Sequence, residues 1–183
     1  MTALALLSDE LGVHERTLRR ALGQGTLRAT RPTPRTLELP LSERRYLRQA
    51  WPLLAALRAT LRTEQNVRLA LLFGSAATGA DGAASDVDVL VDLRDASLER
   101  VLDLDAKLTA ALGRPVDLLR LEDAERAPAF LAAALSNGRV LVDRERLWPR
   151  LHRRQETIRR SGDEDELKRT EAALAGLDRL LAG

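Results

Sequence analysis

The spacing of apolar and polar residues divides the chain into four segments. Residues 1–40 show short helical periods followed by a strand-like stretch that prolines interrupt. Residues 41–63 form a connecting helical period, residues 64–145 alternate between strand and helix periods, and residues 146–183 are helical and charged. The alternation in the third segment predicts an α/β (α+β) layer in which helices cover one sheet.

The third segment carries the clearest periods. Its predicted strands are residues 67–73, 86–92, 115–121 and 139–142, and its predicted helices are residues 98–112 and 130–135. In the connecting segment, Ser42 is expected to cap a helix that runs toward Leu61. We expect Pro52 to kink or divide that helix, because proline has no amide hydrogen to donate.

The first segment predicts a helix-turn-helix followed by a two-stranded ribbon. Ser8 predicts a capped helix start, residues 12–14 a tight turn, and residues 15–22 a second helix. Residues 26–40 then read as two short strands around residues 32–34. This arrangement resembles the winged helix-turn-helix domains of bacterial regulators, which implies that the second helix enters a DNA major groove.

Charge is consistent with that interpretation. The formal net charge of the chain is only +2, yet residues 1–62 contain eleven arginines and five acidic residues. The predicted DNA-contacting residues are Arg16, Arg19 and Arg20 on the second helix and Arg28, Arg31 and Arg35 on the wing. The alternative is a small helical packing module whose basic face is merely solvated.

The candidate phosphate-binding and metal-binding residues lie at the end of the first strand of the third segment and at the beginning of the second. A chain that leaves a strand at Gly74 and enters a helix directs free amide hydrogens outward, where they can bind phosphate, and Ser75 adds a hydroxyl. Because alternate strand residues share a face, Asp86 and Asp88 point the same way, while the intervening valine points into the core. Two such carboxylates are suitable ligands for Mg²⁺.

A third acidic residue, Asp117, lies inside the next apolar strand, where a carboxylate is costly without a partner such as a metal ion. Gly74-Ser75, ten intervening residues, Asp86-Val87-Asp88 and a later strand aspartate together resemble the minimal nucleotidyltransferases of the DNA polymerase β superfamily, including antitoxin-like members. The resemblance covers residues from about 65 to 145. Family members often carry an arginine where this chain has Thr78.

The resemblance implies Mg²⁺-dependent transfer of a nucleoside monophosphate, usually AMP from ATP, to a hydroxyl of a protein or small molecule. Gly74 and Ser75 would hold the outgoing phosphates, and Asp86 and Asp88 would bind two Mg²⁺ ions. Asp117 would complete the acceptor-side metal site and help to deprotonate the acceptor. Two metal ions would stabilise the attacking and the leaving oxygens.

Composition excludes several other kinds of site. The chain has no cysteine and only two histidines, so disulfides, thiolate zinc sites and cysteine nucleophiles are excluded and a histidine metal site is not expected. Gly74 and Gly79 have Walker spacing, but Ala80 and Asp81 stand where lysine and serine or threonine are required. No long apolar run or secretory signal is apparent, which favours a soluble cytoplasmic protein without membrane contact.

The last segment predicts one or two amphipathic helices that pack on the core or on a partner in a homodimer. Alternatively, its arginines contact the acceptor. Two functional hypotheses follow for the whole chain. One is a nucleotidyltransferase, such as an antitoxin, whose DNA-binding segment provides autoregulation. The other is a transcription regulator whose transferase-like domain only senses nucleotide.

Overall fold

The computed structural model describes residues 3–33, 36–82 and 85–181. In chain order the elements are α1 (Ala3–Leu11), α2 (Glu15–Gln24), β1 (Thr30–Thr33), β2 (Thr36–Glu38), α3 (Leu41–Thr63), β3 (Val67–Leu72), α4 (Gly74–Thr78), β4 (Val87–Leu93), α5 (Leu98–Leu112), β5 (Val116–Arg120), α6 (Leu121–Ala124), α7 (Pro128–Asn137), β6 (Arg139–Asp143) and α8 (Leu147–Leu181). The α/β (α+β) prediction is confirmed.

A four-stranded mixed sheet with the order β5-β4-β3-β6 forms the centre of the fold. Strand β3 pairs antiparallel with both β4 and β6, whereas β4 and β5 are parallel. The parallel pair is connected by α5, because parallel strands need a long crossover. This topology puts the beginnings of β4 and β5 side by side.

The two faces of the sheet are covered by different helices. Apolar residues of β3 and β4 such as Ala70 and Val89 join one buried cluster with leucines of α3 and α5. Leu71 and Leu90 face the other way and join a second cluster with α7 and α8. Because strand side chains alternate between faces, Asp88 lies on the face of the second cluster.

The N-terminal segment packs onto the first cluster. Leu7, Leu18 and Leu27 are buried there together with Leu47 and Leu54 of α3. Strands β1 and β2 pair antiparallel and form the predicted ribbon. A separate domain over residues 1–40 stays a prediction, because its apolar residues are continuous with those of the connecting helix.

The predicted starts of two helices were wrong. Helix α1 already spans Ala3–Leu11, so Ser8 does not start a helix; its hydroxyl donates to the Ala5 carbonyl oxygen at 2.8 Å. Leu4 and Leu7, buried one turn apart, extend the helix toward the N-terminus. Helix α3 begins at Leu41 with Pro40 as its N-cap residue and no capping side chain, so Ser42 does not cap it. The helix continues through Pro52, so the predicted division does not occur, and a kink at this position stays a prediction. None of the described helices is long and apolar enough to cross a membrane.

Candidate active site

The turn after β3 brings the backbone against a carboxylate. Gly74 has φ +67°, a conformation that glycine adopts without steric cost, and it begins the short helix α4. A Cβ atom at this position would lie 2.1 Å from Oδ2 of Asp88. The amide of Phe73 donates to the Asp88 carbonyl oxygen at 3.0 Å, which fixes the turn beside β4. A side chain at this position would displace the Asp88 carboxylate.

The three predicted acidic residues lie at the beginnings of adjacent parallel strands. Asp86 precedes β4, Asp88 is its second residue, and Asp117 is the second residue of β5. Asp88 and Asp117 are direct partners in the parallel register. Val87, Val89 and Val91 are buried on the opposite face, as the alternation predicts.

Electrostatics at this position disfavour negative charge. Burial raises the pKa of Asp88 above its ordinary value, and the nearby carboxylates of Asp117 and Asp86 raise it further. Among the described residues, no arginine or lysine forms an ion pair with any of the three. The site therefore favours a cation.

The carboxylates do not form a complete metal site by themselves. Within residues 3–33, 36–82 and 85–181, no group of three or more histidine, cysteine, aspartate or glutamate side chains is arranged so that it could hold a metal ion. Oxygen ligands from a substrate or from water are the ones that Mg²⁺ usually adds to one or two protein carboxylates. The donor set thus fits a cation that arrives with its substrate.

The loop between α4 and β4 is held by an arginine that the motif does not include. Arg114, just before β5, forms an ion pair with Asp81 at 3.1 Å, and its Nε donates to the Ser85 carbonyl oxygen at 3.1 Å. The Ser85 hydroxyl accepts from the Gly82 amide at 3.0 Å. These contacts fix the chain next to Asp86. Sequence reasoning missed Arg114, although its position between α5 and β5 was visible.

A second missed group holds the far end of α4. Arg139 forms two hydrogen bonds with Glu43, at 2.7 and 2.9 Å, and its Nε donates to the Ala77 carbonyl oxygen at 2.7 Å. Its guanidinium lies 3.6 Å from the ring centroid of Tyr46, whose hydroxyl donates to the Ala76 carbonyl oxygen at 3.0 Å. We call Glu43, Tyr46 and Arg139 the anchor network, because it connects α3 and β6 to the helix that begins at Gly74.

Thr78 and Ser75 lie on α4 itself. The Thr78 hydroxyl donates to the Ser75 carbonyl oxygen at 3.0 Å, and Thr78 is exposed. Ser75 is half-buried. Its hydroxyl forms no hydrogen bond with the described residues, which leaves it available to a ligand.

The predicted DNA-contacting arginines differ in their exposure and in their contacts with the rest of the protein. Arg16, Arg19 and Arg20 are exposed on α2, and His14 caps this helix by accepting from the Arg16 amide at 3.0 Å. The Arg28 side chain donates to the Asn137 carbonyl oxygen instead of extending from the ribbon. Arg31 belongs to β1, and Arg35 lies outside the described residues.

Comparison with known proteins identifies relatives of this arrangement. The family model of polymerase beta nucleotidyltransferases matches residues 56–147. A crystal structure of a toxin-antitoxin with AMP-PNP aligns with a TM-score of 0.55 at 20% identity, over 66% of this chain and 98% of that one. The MntA-HepT toxin-antitoxin aligns with a TM-score of 0.51 at 19% identity, over 66% and 96%.

A third structure is an MntA toxin-antitoxin mutant in which two aspartates, two positions apart, are replaced by glutamate. It aligns with a TM-score of 0.53 at 18% identity, over 68% of this chain and 98% of that one. At these identities the likeness concerns the fold. None of the curated proteins matches the chain in sequence.

Proposed function

The chain belongs to the polymerase β nucleotidyltransferase family, and we propose that it transfers AMP from ATP to a hydroxyl group of a protein partner or a small molecule. The observation that carries this proposal is the register of Asp88 with Asp117 beside the Gly74 turn. It puts acidic residues from two strands next to a backbone turn with a free hydroxyl. Together these groups provide the parts that phosphoryl-group chemistry needs.

Asp86, Asp88 and Asp117 are the proposed ligands of Mg²⁺. The raised pKa of Asp88 supports this assignment, because burial and two neighbouring carboxylates disfavour its charge until a cation compensates them. When bound, Mg²⁺ supplies charge neutralisation for the attacking and the leaving oxygens. Gly74 and Ser75 are proposed to hold the phosphates that leave as pyrophosphate.

Asp117 is proposed to accept the proton of the acceptor. The acceptor oxygen would form a bond to the α-phosphorus of the nucleotide while the bond to pyrophosphate breaks. The hydroxyl proton would pass to the Asp117 carboxylate, which is exposed on β5 and accessible to an incoming acceptor. A carboxylate within reach of a hydroxyl proton is a common general base.

The fold relatives support a protein as the acceptor. All three structures compared above are toxin-antitoxin complexes or mutants of one. We therefore propose that the chain acts as an antitoxin that modifies its toxin. A hydroxyl on a small molecule is the other acceptor that the same site would serve.

The N-terminal helices support a second role in DNA binding. Arg16, Arg19 and Arg20 are exposed on α2, which follows α1 after a tight turn, as in a helix-turn-helix. Bound DNA would provide autoregulation of an enzyme. The same exposed face favours the second candidate function, a transcription regulator in which the nucleotidyltransferase fold only senses nucleotide.

Labelled nucleotides distinguish these functions. Purified protein is incubated with each α-labelled NTP, Mg²⁺ and a lysate of its host, and labelled products are separated. We expect label from ATP on one acceptor, and we expect Asp88→Ala or Asp86→Ala to reduce transfer by on the order of 10²–10³-fold. Asp117→Asn should abolish transfer but retain much of the ATP binding.

Asp92→Asn is the matched control, because Asp92 lies on the same face of β4 but pairs with Arg68 at 2.8 Å. It should transfer AMP at the wild-type rate. Nucleotide binding without transfer in every lysate would favour the sensor. Equal transfer by the Asp88→Ala and Asp92→Asn variants would exclude the assigned site.

DNA binding is tested by salt titration on the protein's own promoter region and on random duplex. Each phosphate neutralised by an arginine should contribute roughly −0.9 to the log-log slope of affinity against salt. Arg16→Gln or Arg19→Gln should weaken binding, whereas Arg126→Gln, on an exposed residue after α6, should not. Failure of both duplexes to bind at low salt would assign α2 to packing or to a protein partner.

A further inference from the structure

A small cavity lies on the face of the sheet opposite to Asp88, and four of its eight lining residues are arginines. It lies between α2, α3 and the end of β6, where β6 pairs with the beginning of β3. Its volume is about 140 Å³. The residues that determine its charge are Arg20, Arg58, Arg62, Arg144 and Asp143. We call this space the arginine cavity.

Arg58 is the buried arginine of the arginine cavity. It is only 4% exposed, and its Nε forms no hydrogen bond with a described residue. Among the described residues, its side chain forms one hydrogen bond, from Nη2 to the Gln24 side-chain oxygen, which carries no charge. Burial, with Arg62 and Arg20 nearby, lowers the pKa of Arg58 to about 10, so the guanidinium still carries its charge at neutral pH.

The other charged residues do not compensate Arg58. Arg144 donates to the carbonyl oxygens of Leu61 and Arg62, at 3.1 and 3.0 Å, and thereby caps α3. The Asp143 carboxylate accepts from the amides of Leu147 and Trp148, at 2.9 and 3.2 Å, and so caps α8. Among the described residues, none of the four arginines forms an ion pair.

A buried charge without a partner is costly, and an arginine guanidinium binds oxyanions with its planar fork of donors. We propose that the arginine cavity is a binding site for a phosphate group, with Arg58 at its base and Arg20 and Arg62 at its rim. The volume is below the roughly 300–1,000 Å³ of pockets that enclose a whole drug-sized ligand. The site therefore takes one phosphate group, either as a free anion or as part of a larger molecule.

This site is distinct from the proposed nucleotide site and goes beyond the proposed function. Arg58 belongs to α3, whose leucines pack on the first face of the sheet, whereas Asp88 alternates with residues of that face and lies on the second. Arg20 is on α2, the helix proposed to contact DNA. A phosphate in the cavity can thus be an inorganic ion or a backbone phosphate of nucleic acid, and the two sources share the same chemistry.

Calorimetric titration with inorganic phosphate tests the site in the full-length protein. We expect one phosphate per chain, with chloride at equal ionic strength as the reference. Arg58→Met should lose this heat signal, and Arg62→Gln should weaken the affinity several-fold. Arg45→Gln removes an exposed arginine from the same helix and should bind phosphate like the wild type. Ser75→Ala should also bind normally, which separates this site from the proposed nucleotide site.

Thermal unfolding provides a second readout if the Arg58 variant is poorly behaved. Phosphate at about 10–100 times its Kd should raise the wild-type Tm by roughly 3–10 °C, and less in Arg62→Gln. General stabilisation by phosphate would raise the Tm of all variants equally. Equal shifts in wild type, Arg62→Gln and Arg45→Gln, or no calorimetric signal in the wild type, would overturn the proposal.

Duplex DNA identifies the source of the phosphate. If a backbone phosphate occupies the cavity, inorganic phosphate should compete with duplex DNA, and Arg58→Met should weaken DNA binding while Arg45→Gln does not. If phosphate binds but DNA binding is absent or unaffected by Arg58→Met, the ligand is the free anion. Both outcomes support the oxyanion site and differ only in its occupant.

Discussion

Arg139 and Arg58 are almost equally buried but have opposite surroundings. Arg139, 2% exposed, is paired with Glu43 through two hydrogen bonds and also donates to backbone carbonyl oxygens. Arg58, 4% exposed, has a neutral glutamine as its one side-chain hydrogen-bond partner within the described part of the chain. Because a buried charge is costly without compensation, the first arginine has a structural role, and the second is the one that we propose binds an external anion.

The acidic site resembles the surroundings of Arg58, but its uncompensated charge is negative. Asp88 lies beside Asp117 and Asp86, and these carboxylates raise its pKa instead of compensating its charge. A group of like charges without counter-charges is unfavourable in the free protein and becomes favourable when an ion binds. Compensated charge thus stabilises this fold, while uncompensated charge marks its proposed binding sites.

The largest effect is expected from breaking the compensated pair. Glu43→Ala should lower the free energy of unfolding by about 3–5 kcal/mol, because it leaves the Arg139 guanidinium buried without its carboxylate. Denaturant unfolding measures the loss. Replacing both residues together, with Arg139→Met and Glu43→Leu, should restore most of the stability, since it leaves no buried charge. A double mutant as unstable as Glu43→Ala would show that the packing of Glu43, not its charge, is decisive.

A smaller effect on stability but a large one on activity is expected at the Gly74 turn. Gly74→Ala should lower the free energy of unfolding by about 1–3 kcal/mol, because φ of +67° is strained for alanine and its Cβ would meet Asp88. The displaced carboxylate should reduce transfer of AMP on the order of 10²-fold or more. Gly113→Ala is the matched control: φ is +66°, but nothing lies within 4 Å of its Cβ. Equal loss of activity in both variants would remove the special role of Gly74.

The sequence predicts the acidic site better than the anchor network, and the reason is physical. Strand alternation puts Asp86 and Asp88 on one face from local geometry alone, and the motif spacing adds Gly74 and Asp117. Helix α5 also spans the predicted residues 98–112. Pairing of Arg139 with Glu43 joins residues 96 positions apart, so it depends on how β6 docks against α3. No local pattern contains that information.

The helical period of α3 already indicates that Arg58 faces the core. It lies one helical turn after Leu54 and just before Leu61, both fully buried, so the helical period places it on the core-facing side of α3. Arg58 was not among the residues to which the sequence assigned a role. An arginine at a core-facing helical position predicts a buried positive charge. The sequence alone does not show which group, if any, neutralises that charge.

Removing the uncompensated arginine should stabilise the free protein. Arg58→Met retains the length of the side chain but removes its buried charge, so in anion-free buffer the free energy of unfolding should rise by about 1–2 kcal/mol. Chemical denaturation in a phosphate-free buffer measures this change. Arg62→Gln, on an exposed residue, should change stability by less than about 0.5 kcal/mol. If Arg58→Met destabilises the protein as strongly as Glu43→Ala, the two arginines play the same structural role and the comparison fails.

The smallest effect is expected for Asp88, which is only half-buried. Its pKa is raised in the folded protein, so its contribution to stability is fully present below the pKa of the unfolded chain and decreases as pH rises through the folded pKa. Asp88→Asn should therefore raise stability at neutral pH by less than about 1 kcal/mol, since solvent screens much of the repulsion from Asp117 and Asp86. Tm measured from pH 4 to 8 without divalent cations should fall less steeply for the variant than for the wild type.

Mg²⁺ with a nucleotide should reverse the order of the two Tm values, because only the wild type gains a ligand at this position. Asp92→Asn, which loses an ion pair with Arg68, should shift stability in the opposite direction at neutral pH. Identical pH profiles for wild type and Asp88→Asn would mean that the acidic cluster is not repulsive, and its proposed need for a cation would lose its electrostatic basis.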